Sequence, residues 1–150
     1  MPKSNILAAS TKTIHPKNTL AGIPLYVFGL LFGLSFAGLV IAELKVRDVS
    51  AAEAATILME NPEIGILDVR TGFEFDRGHL EGAVNLNYYS RKFKSMLDEL
   101  DKEKTWLVHC RSGVRSGKTL PLMEAAGFKS VIHLTDGIVD WVNADLPVVK

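Results

Sequence analysis

Short apolar runs alternate with segments of helical character over most of this 150-residue chain, from Lys45 onward. Runs of four to six residues are too short for a helix and are typical of strands in a buried sheet. Strands that alternate with helices form βαβ units, so the pattern predicts an α/β fold with a central, mostly parallel sheet and helices on both faces. The predicted strands are KVRDV (45–49), IGILDV (64–69), AVNL (83–86), TWLVH (105–109) and SVIHL (130–134).

The segments between these strands carry the signals of helices. The clearest is the S-x-x-E capping box of Ser50 and Glu53, in which each side chain satisfies a free backbone N–H at a helix start. Gly127 is suited to end a helix, whereas Pro121 removes a hydrogen bond within one and is expected to bend it. The predicted helices cover residues 50–60, 72–77, 89–101, a stretch that ends at 126, and 138–143.

The N-terminal third differs in kind, because residues 20–42 contain no charged side chain. As a helix these residues would extend about 34 Å, and the hydrocarbon core of a bilayer is about 30 Å thick. Two interpretations stay open, a single transmembrane helix and a signal peptide cleaved near Ala42. The chain is therefore divided into a basic tail (1–19), a hydrophobic membrane segment (20–42) and a globular domain (45–150).

The distribution of basic residues predicts an orientation for such a segment. Lysines 3, 12 and 17 precede it, and only Lys45 and Arg47 are basic just after it. The positive-inside rule then favours a single-pass protein with a cytoplasmic N-terminus and an extracytoplasmic domain. Cleavage of a signal peptide would instead give a secreted or periplasmic domain.

Composition excludes several classes of function for the domain. Residues 45–150 carry 14 Lys and Arg against 16 Asp and Glu, without the basic stripe of a nucleic-acid-binding module. A single cysteine forms neither an internal disulfide nor a cysteine-based zinc cluster. The histidines, at positions 15, 79, 109 and 133, lack metal-ligand spacing. No metal and no cofactor are expected.

The only cysteine, Cys110, lies where a predicted strand ends and a helix is expected to begin. Free N–H groups at a helix start attract anions, and Gly113 allows the backbone to curl so that several of them point inward. Arg111 and Arg115 add positive charge, so the surroundings favour a thiolate and a nucleophilic role. The alternative is a small, buried and chemically unused cysteine. Residues 110–116, CRSGVRS, are called the Cys110 loop below.

Four stretches in order resemble the motifs of one family. They are ILDVR (66–70), FEFDRGHLEGAVNL (73–86), CRSGVRS (110–116) and AGFKSVIHLTDGIVDW (126–141). Together they resemble the rhodanese domain, over about Val46 to Val149. The resemblance implies the rhodanese-like fold and sulfurtransferase activity. Ser112 departs from the lysine that some thiosulfate-using members have in the loop, and Asp136-Gly137 replaces their usual Gly-Gly.

What the resemblance implies for mechanism is a persulfide on Cys110. The sulfur would come from a small-molecule donor such as thiosulfate and pass to a thiol or cyanide, or to a sulfur-accepting protein. Arg115, and secondarily Arg111, would bind the donor anion, and backbone N–H groups would hold the charged sulfur. The implied substrate-binding residues are Arg111, Ser112, Gly113, Val114, Arg115 and Ser116.

The residues around these motifs favour structural roles. Asp68 and Arg70 look like a pair that ties the end of a strand to its neighbours. Glu74 and His79 are each expected in a buried pair or a cap. His109 points away from its neighbour Cys110 on a strand, so it is expected to pack in the core.

Three other functions remain as alternatives. A phosphatase or arsenate reductase would require the spacing C-x5-R, whereas Cys110 and Arg115 have the spacing C-x4-R. A membrane-tethered binding module would leave the cysteine unused. A persulfide carrier would hand its sulfur to a dedicated protein with little turnover of small molecules.

Overall fold

The computed structural model describes residues 43–150. Their five strands form one sheet in the order β1-β5-β4-β2-β3, and every strand pair in it is parallel. The predicted α/β class and all five predicted strands are confirmed. The strands are β1 (Lys45–Val49), β2 (Gly65–Asp68), β3 (Ala83–Asn85), β4 (Trp106–His109) and β5 (Ser130–Leu134).

Five helices connect the strands. They are α1 (Ala51–Glu60), α2 (Gly72–Asp76), α3 (Phe93–Asp98), α4 (Val114–Ala125) and α5 (Gly137–Asn143). The predicted capping box of Ser50 and Glu53 is present at the start of α1. α4 continues through Pro121.

The predicted helix over 89–101 is wrong in its bounds, because only Phe93–Asp98 is helical. Side chains offer the preceding backbone other partners: the N–H of Tyr89 donates to Asn87 Oδ1, and the N–H of Lys92 donates to Ser90 Oγ. Such local bonds compete with the first turn of a helix. Residues 89–92 therefore lie outside the helix, although the helical spacing of apolar residues predicted them in it.

The core divides into two clusters that lie on opposite sides of the sheet, since alternate strand residues enter different clusters. Val108 and Val131 pack with α3 and α4, while Leu107 and Ile132 pack with α1 and α5. Helices therefore cover both faces, as predicted. Cys110 belongs to the cluster on the α3 and α4 side.

The predicted basic tail (1–19) and the hydrophobic segment (20–42) lie outside the described residues. Within 43–150, none of the helices combines the length and the apolar character needed to cross a bilayer. The first strand begins two residues into the described part of the chain, at Lys45.

Candidate active site

Cys110 directly follows β4, the central strand, and is 1% exposed. Carboxyl ends of parallel strands are the usual place for binding sites in open α/β sheets. The start of α5 closes on this point: the N–H of Ile138 donates to Cys110 O at 2.9 Å, and that of Val139 to Arg111 O at 3.2 Å. Two backbone hydrogen bonds thus fix the beginning of the Cys110 loop from the side of α5.

The thiol faces a cradle of donors made by the Cys110 loop. Burial raises the pKa of Cys110, but the backbone N–H and hydroxyl of Ser116 and the N–H groups of Ser112 and Arg115 lower it. The donors outweigh burial, so the pKa of the thiol lies below its ordinary value. α4 begins without a side-chain cap, which leaves its first N–H groups free for the sulfur. The cradle therefore favours a nucleophilic thiolate.

Gly113 gives the loop its shape. Its φ of +80° is left-handed, a conformation that residues with a Cβ rarely adopt. A Cβ at this position would lie 1.6 Å from Thr135 O, so the loop passes directly against the backbone after β5. Gly113 O also accepts from Ser116 Oγ at 2.9 Å. Only glycine adopts this φ readily and also lacks the Cβ that would collide with Thr135 O.

Arg115 is held by an ion pair with Glu74, a partner that the sequence analysis did not assign to it. Its guanidinium donates two hydrogen bonds to the Glu74 carboxylate, each 2.7 Å long, and lies over the ring of Tyr89. The bond from Arg115, with bonds from Thr71, holds the pKa of Glu74 at about 2 despite partial burial. Glu74 also completes a capping box with Thr71, which confirms its predicted cap. Part of the Arg115 charge is therefore neutralised.

The remaining side chains of the loop face outward. Arg111, Ser112 and Val114 are exposed. Arg111 lines a cleft of about 500 Å³ between α2 and α5. Two further arginines line the same cleft, Arg70 and Arg77, beside apolar groups of Phe73, Ile138, Val139 and Val142. The structure thus gathers Ser112, Arg115 and Ser116 around the sulfur through their N–H groups, and directs Arg111 toward an open cleft.

A hydrogen-bonded row behind the thiol was missed by the sequence reasoning. Ser116 Oγ lies 3.6 Å from Cys110 Sγ and 3.0 Å from His133 Nε2, and His133 Nδ1 lies 2.9 Å from Asp48 Oδ1. A histidine inside the apolar run SVIHL was the available signal, because a buried imidazole needs polar partners.

The family model of the Rhodanese-like domain matches residues 50–144. The chain belongs to the rhodanese-like domain family. This match confirms the family that the sequence motifs resemble.

Relatives and solved structures agree with this membership. The rhodanese-like domain is 32% identical over 85 residues to the probable adenylyltransferase/sulfurtransferase MoeZ of Mycobacterium tuberculosis, covering 57% of this chain and 22% of that protein. It is 29% identical over 96 residues to the tRNA uridine(34) hydroxylase of Yersinia enterocolitica, covering 61% and 27%. A rhodanese-related protein from Thermoplasma volcanium superposes with a TM-score of 0.59 at 27% identity, covering 69% of this chain and 97% of that one.

The chain spans only about a quarter of the length of these two curated relatives. The similarity to them extends over a segment of 85 to 96 residues.

Two buried polar residues of the rhodanese-like domain, Asp68 and His109, end the strands β2 and β4. Asp68 is fully buried and accepts from the backbone N–H of Arg70 at 2.9 Å and from its guanidinium, which also donates to Gly78 O. These contacts agree with the predicted structural role of the pair. His109 is fully buried as predicted, and burial lowers its pKa.

Within 43–150, no three His, Cys, Asp or Glu side chains gather as a metal site would require.

Proposed function

We propose that this protein is a sulfurtransferase that carries sulfane sulfur as a persulfide on Cys110. The observation that carries the proposal is the cradle of N–H groups and the Ser116 hydroxyl, which lowers the pKa of a buried thiol. A persulfide is anionic near neutral pH, so the same donors would stabilise it. Membership of the rhodanese-like domain family and the name of the mycobacterial relative support the same chemistry.

The first half of the proposed reaction loads the cysteine. The Cys110 thiolate attacks the outer sulfur of thiosulfate, a new S–S bond forms, and the S–S bond of the donor breaks. Sulfite leaves with the electron pair, and Cys110 keeps the sulfur as a persulfide. This covalent step divides one transfer into two easier ones.

The second half returns the enzyme to its thiolate form. Cyanide, or a thiol, attacks the outer sulfur of the persulfide and takes it, giving thiocyanate when cyanide is the acceptor. The S–S bond to Cys110 breaks, and its electron pair stays on Sγ, where the N–H groups of Ser112, Arg115 and Ser116 receive it. Neither step, as proposed, requires a metal or a cofactor.

The experiment that tests this function is intact mass spectrometry of the full chain, purified in detergent and incubated with thiosulfate. We expect the mass to rise by one sulfur atom, and we expect cyanide to remove that atom. Cys110→Ser should gain nothing. A mass that stays unchanged with both thiosulfate and a polysulfide donor would contradict the proposal.

Arg115 offers a sharper prediction, because Glu74 partly neutralises it. Replacing Arg115 with alanine is expected to raise the KM for thiosulfate about tenfold, the scale of one lost hydrogen bond to a charged group. Glu74→Gln breaks the same ion pair but leaves the guanidinium its full charge, so it is expected to lower that KM. Steady-state kinetics with cyanide at fixed concentration measures both values.

The two variants serve as controls for each other. Both remove the ion pair that joins α2 and α4, so a purely structural role of the ion pair would move their KM values in the same direction. Such a result would contradict the assignment of Arg115 to the donor anion. The comparison holds at neutral pH, because the pKa of Glu74 at about 2 keeps the pair intact until the solution is strongly acidic.

A protein acceptor is the second candidate, favoured by exposed apolar side chains around the loop. Phe73 on α2 is 72% exposed, Tyr89 is 68% exposed, and Val114 in the loop is 61% exposed. Exposed apolar groups that cluster at one place are typical of protein-binding surfaces. Stable persulfide on Cys110 with negligible turnover of cyanide would favour this carrier function over a small-molecule enzyme.

The same proposal includes attachment to a membrane through residues 20–42. Their uncharged, largely apolar sequence and the lysines that precede them support a single-pass protein with an extracytoplasmic domain. A cleaved signal peptide, which would release a secreted or periplasmic domain, is the alternative. Extraction of cell membranes with alkaline carbonate distinguishes them, since an anchored chain stays with the bilayer and a cleaved one is released.

A further inference from the structure

Four side chains form a continuous row from the edge strand β1 to the sulfur. Asp48 Oδ1 lies 2.9 Å from His133 Nδ1, His133 Nε2 lies 3.0 Å from Ser116 Oγ, and Ser116 Oγ lies 3.6 Å from Cys110 Sγ. We propose that this row is a proton relay, in which the thiol proton of Cys110 moves through Ser116 to His133 while Asp48 stabilises the imidazolium.

The hydrogen-bonding capacities of the groups make the relay directional. A carboxylate only accepts, so the bond between Asp48 and His133 places a proton on Nδ1. In the neutral imidazole Nε2 is then an acceptor, and it faces the hydroxyl of Ser116. That hydroxyl donates one hydrogen bond and also accepts, which allows it to take a proton from one side and give one to the other.

Proton transfer along the row balances without any further reactant. In the thiol form, Sγ–H donates to Ser116 Oγ, and the hydroxyl donates to His133 Nε2. The S–H and original O–H bonds break, and a new O–H bond and an N–H bond form. In the thiolate form, Nε2–H donates to Oγ and the hydroxyl donates to the sulfur. The product is a thiolate and an imidazolium, with no proton lost and no change of oxidation state.

Burial explains why the proton needs such an acceptor. Cys110 and Ser116 are almost completely buried, and His133 is buried as well, so the thiol proton has little access to water. Gly113 O, 2.9 Å from the hydroxyl of Ser116, is a competing acceptor for the hydroxyl proton, but a carbonyl does not take a proton from a thiol. The imidazole is the basic group at the end of the row.

Residues of β1, α4 and β4 adjoin His133. Asp48 faces it from β1, with Oδ1 2.9 Å from Nδ1. Ser116 faces it from α4, where Gly117 leaves room for the ring. The hydroxyl of Ser116 lies between the imidazole and Cys110 Sγ. Val108 is its neutral register partner on β4. Asp48 contacts the imidazole directly, and Cys110 is linked to it through Ser116.

The inference rests on the proposed function for the use of the thiolate, but not for its formation. Ser116 touches the reacting sulfur, whereas His133 and Asp48 are positioning residues that act through it. The relay is therefore tested on the resting protein, without a sulfur donor. A failure of the relay and a failure of persulfide formation then give separate results.

The test is a pH titration of the Cys110 thiolate by ultraviolet absorbance, in the full chain in detergent. Replacing His133 with asparagine is expected to raise the midpoint by about one pH unit, which slows alkylation by iodoacetamide about tenfold at neutral pH. Ser116→Ala is expected to shift it similarly, and Asp48→Asn by less in the same direction. His79→Asn is the matched control, because its ring bonds to Phe75 O instead.

The double variant Ser116→Ala/His133→Asn completes the test. If both residues belong to one relay, the thiolate midpoint of the double variant equals that of Ser116→Ala alone, since effects within one network are not additive. An unchanged midpoint in His133→Asn, with only a lower melting temperature, would show a packing role and overturn the relay. Shifts that add in the double variant would also overturn it. Asp48 is exposed, so its variant is expected to fold and keeps the test decisive if a core variant does not.

Discussion

Replacing Cys110 with serine is expected to reduce sulfur transfer by at least about 10³, to the level of the uncatalysed reaction. A serine hydroxyl stays protonated near neutral pH and forms no persulfide, so the covalent route through Sγ is closed. The N–H groups of Ser112, Arg115 and Ser116 remain in place but have no sulfur anion to receive. Steady-state production of thiocyanate from thiosulfate and cyanide measures the loss.

The fold should tolerate this change. Serine is close to cysteine in size, and its hydroxyl can hydrogen-bond to Ser116, the partner that the thiol has now. We expect circular dichroism to be unchanged and the free energy of unfolding to change by about 1 kcal/mol or less. Transfer above background in a folded Cys110→Ser protein would rule out the persulfide mechanism.

Replacing Gly113 with alanine is expected to abolish the shape of the Cys110 loop. The left-handed φ of +80° costs a residue with a Cβ about 1–2 kcal/mol. The added Cβ would also lie 1.6 Å from Thr135 O, a backbone atom that no side-chain rotation can remove. We expect a total loss of about 3 kcal/mol or more in the free energy of unfolding. Transfer activity should be lost with the cradle.

Gly127→Ala is the matched control for this prediction. Gly127 has a similar φ of +88°, but nothing lies within 4 Å of the position that a Cβ would take. Its variant therefore measures the conformational cost alone, about 1–2 kcal/mol. Chemical denaturation of both variants isolates the cost of the contact with Thr135. Equal losses in the two proteins would mean that the loop moves away from Thr135 without penalty.

The sheet could be predicted from the sequence because the signals of its strands are local. A run such as SVIHL between helical segments is sufficient to place β5, and the S-x-x-E pattern places the start of α1. The Cys110 loop was equally accessible, since its donors and its thiol are contiguous in the chain. Local side-chain bonds before Phe93 explain the one helix whose extent was wrong.

Contacts between distant segments were beyond the reach of such signals. Glu74 and Arg115 are 41 residues apart, and His133 and Asp48 are 85 apart. Each contact depends on the order of the strands, which places β5 between β1 and β4 and brings α4 over His133. Residue patterns alone do not determine that order. The chemistry of the loop was thus predictable, but the groups that adjust it were not.

The two hydrogen bonds from the start of α5 to Cys110 O and Arg111 O have a consequence for the energy of the proposed sulfur transfer. The loop is held by α4 along the chain and by α5 across space, so its donors are ordered before any substrate arrives. The entropy of arranging them is lost once, during folding. Preorganisation of this kind spares the reaction most of the reorganisation energy that water would require around a developing sulfur anion. A sulfur donor must therefore fit a site whose shape is set before the donor binds.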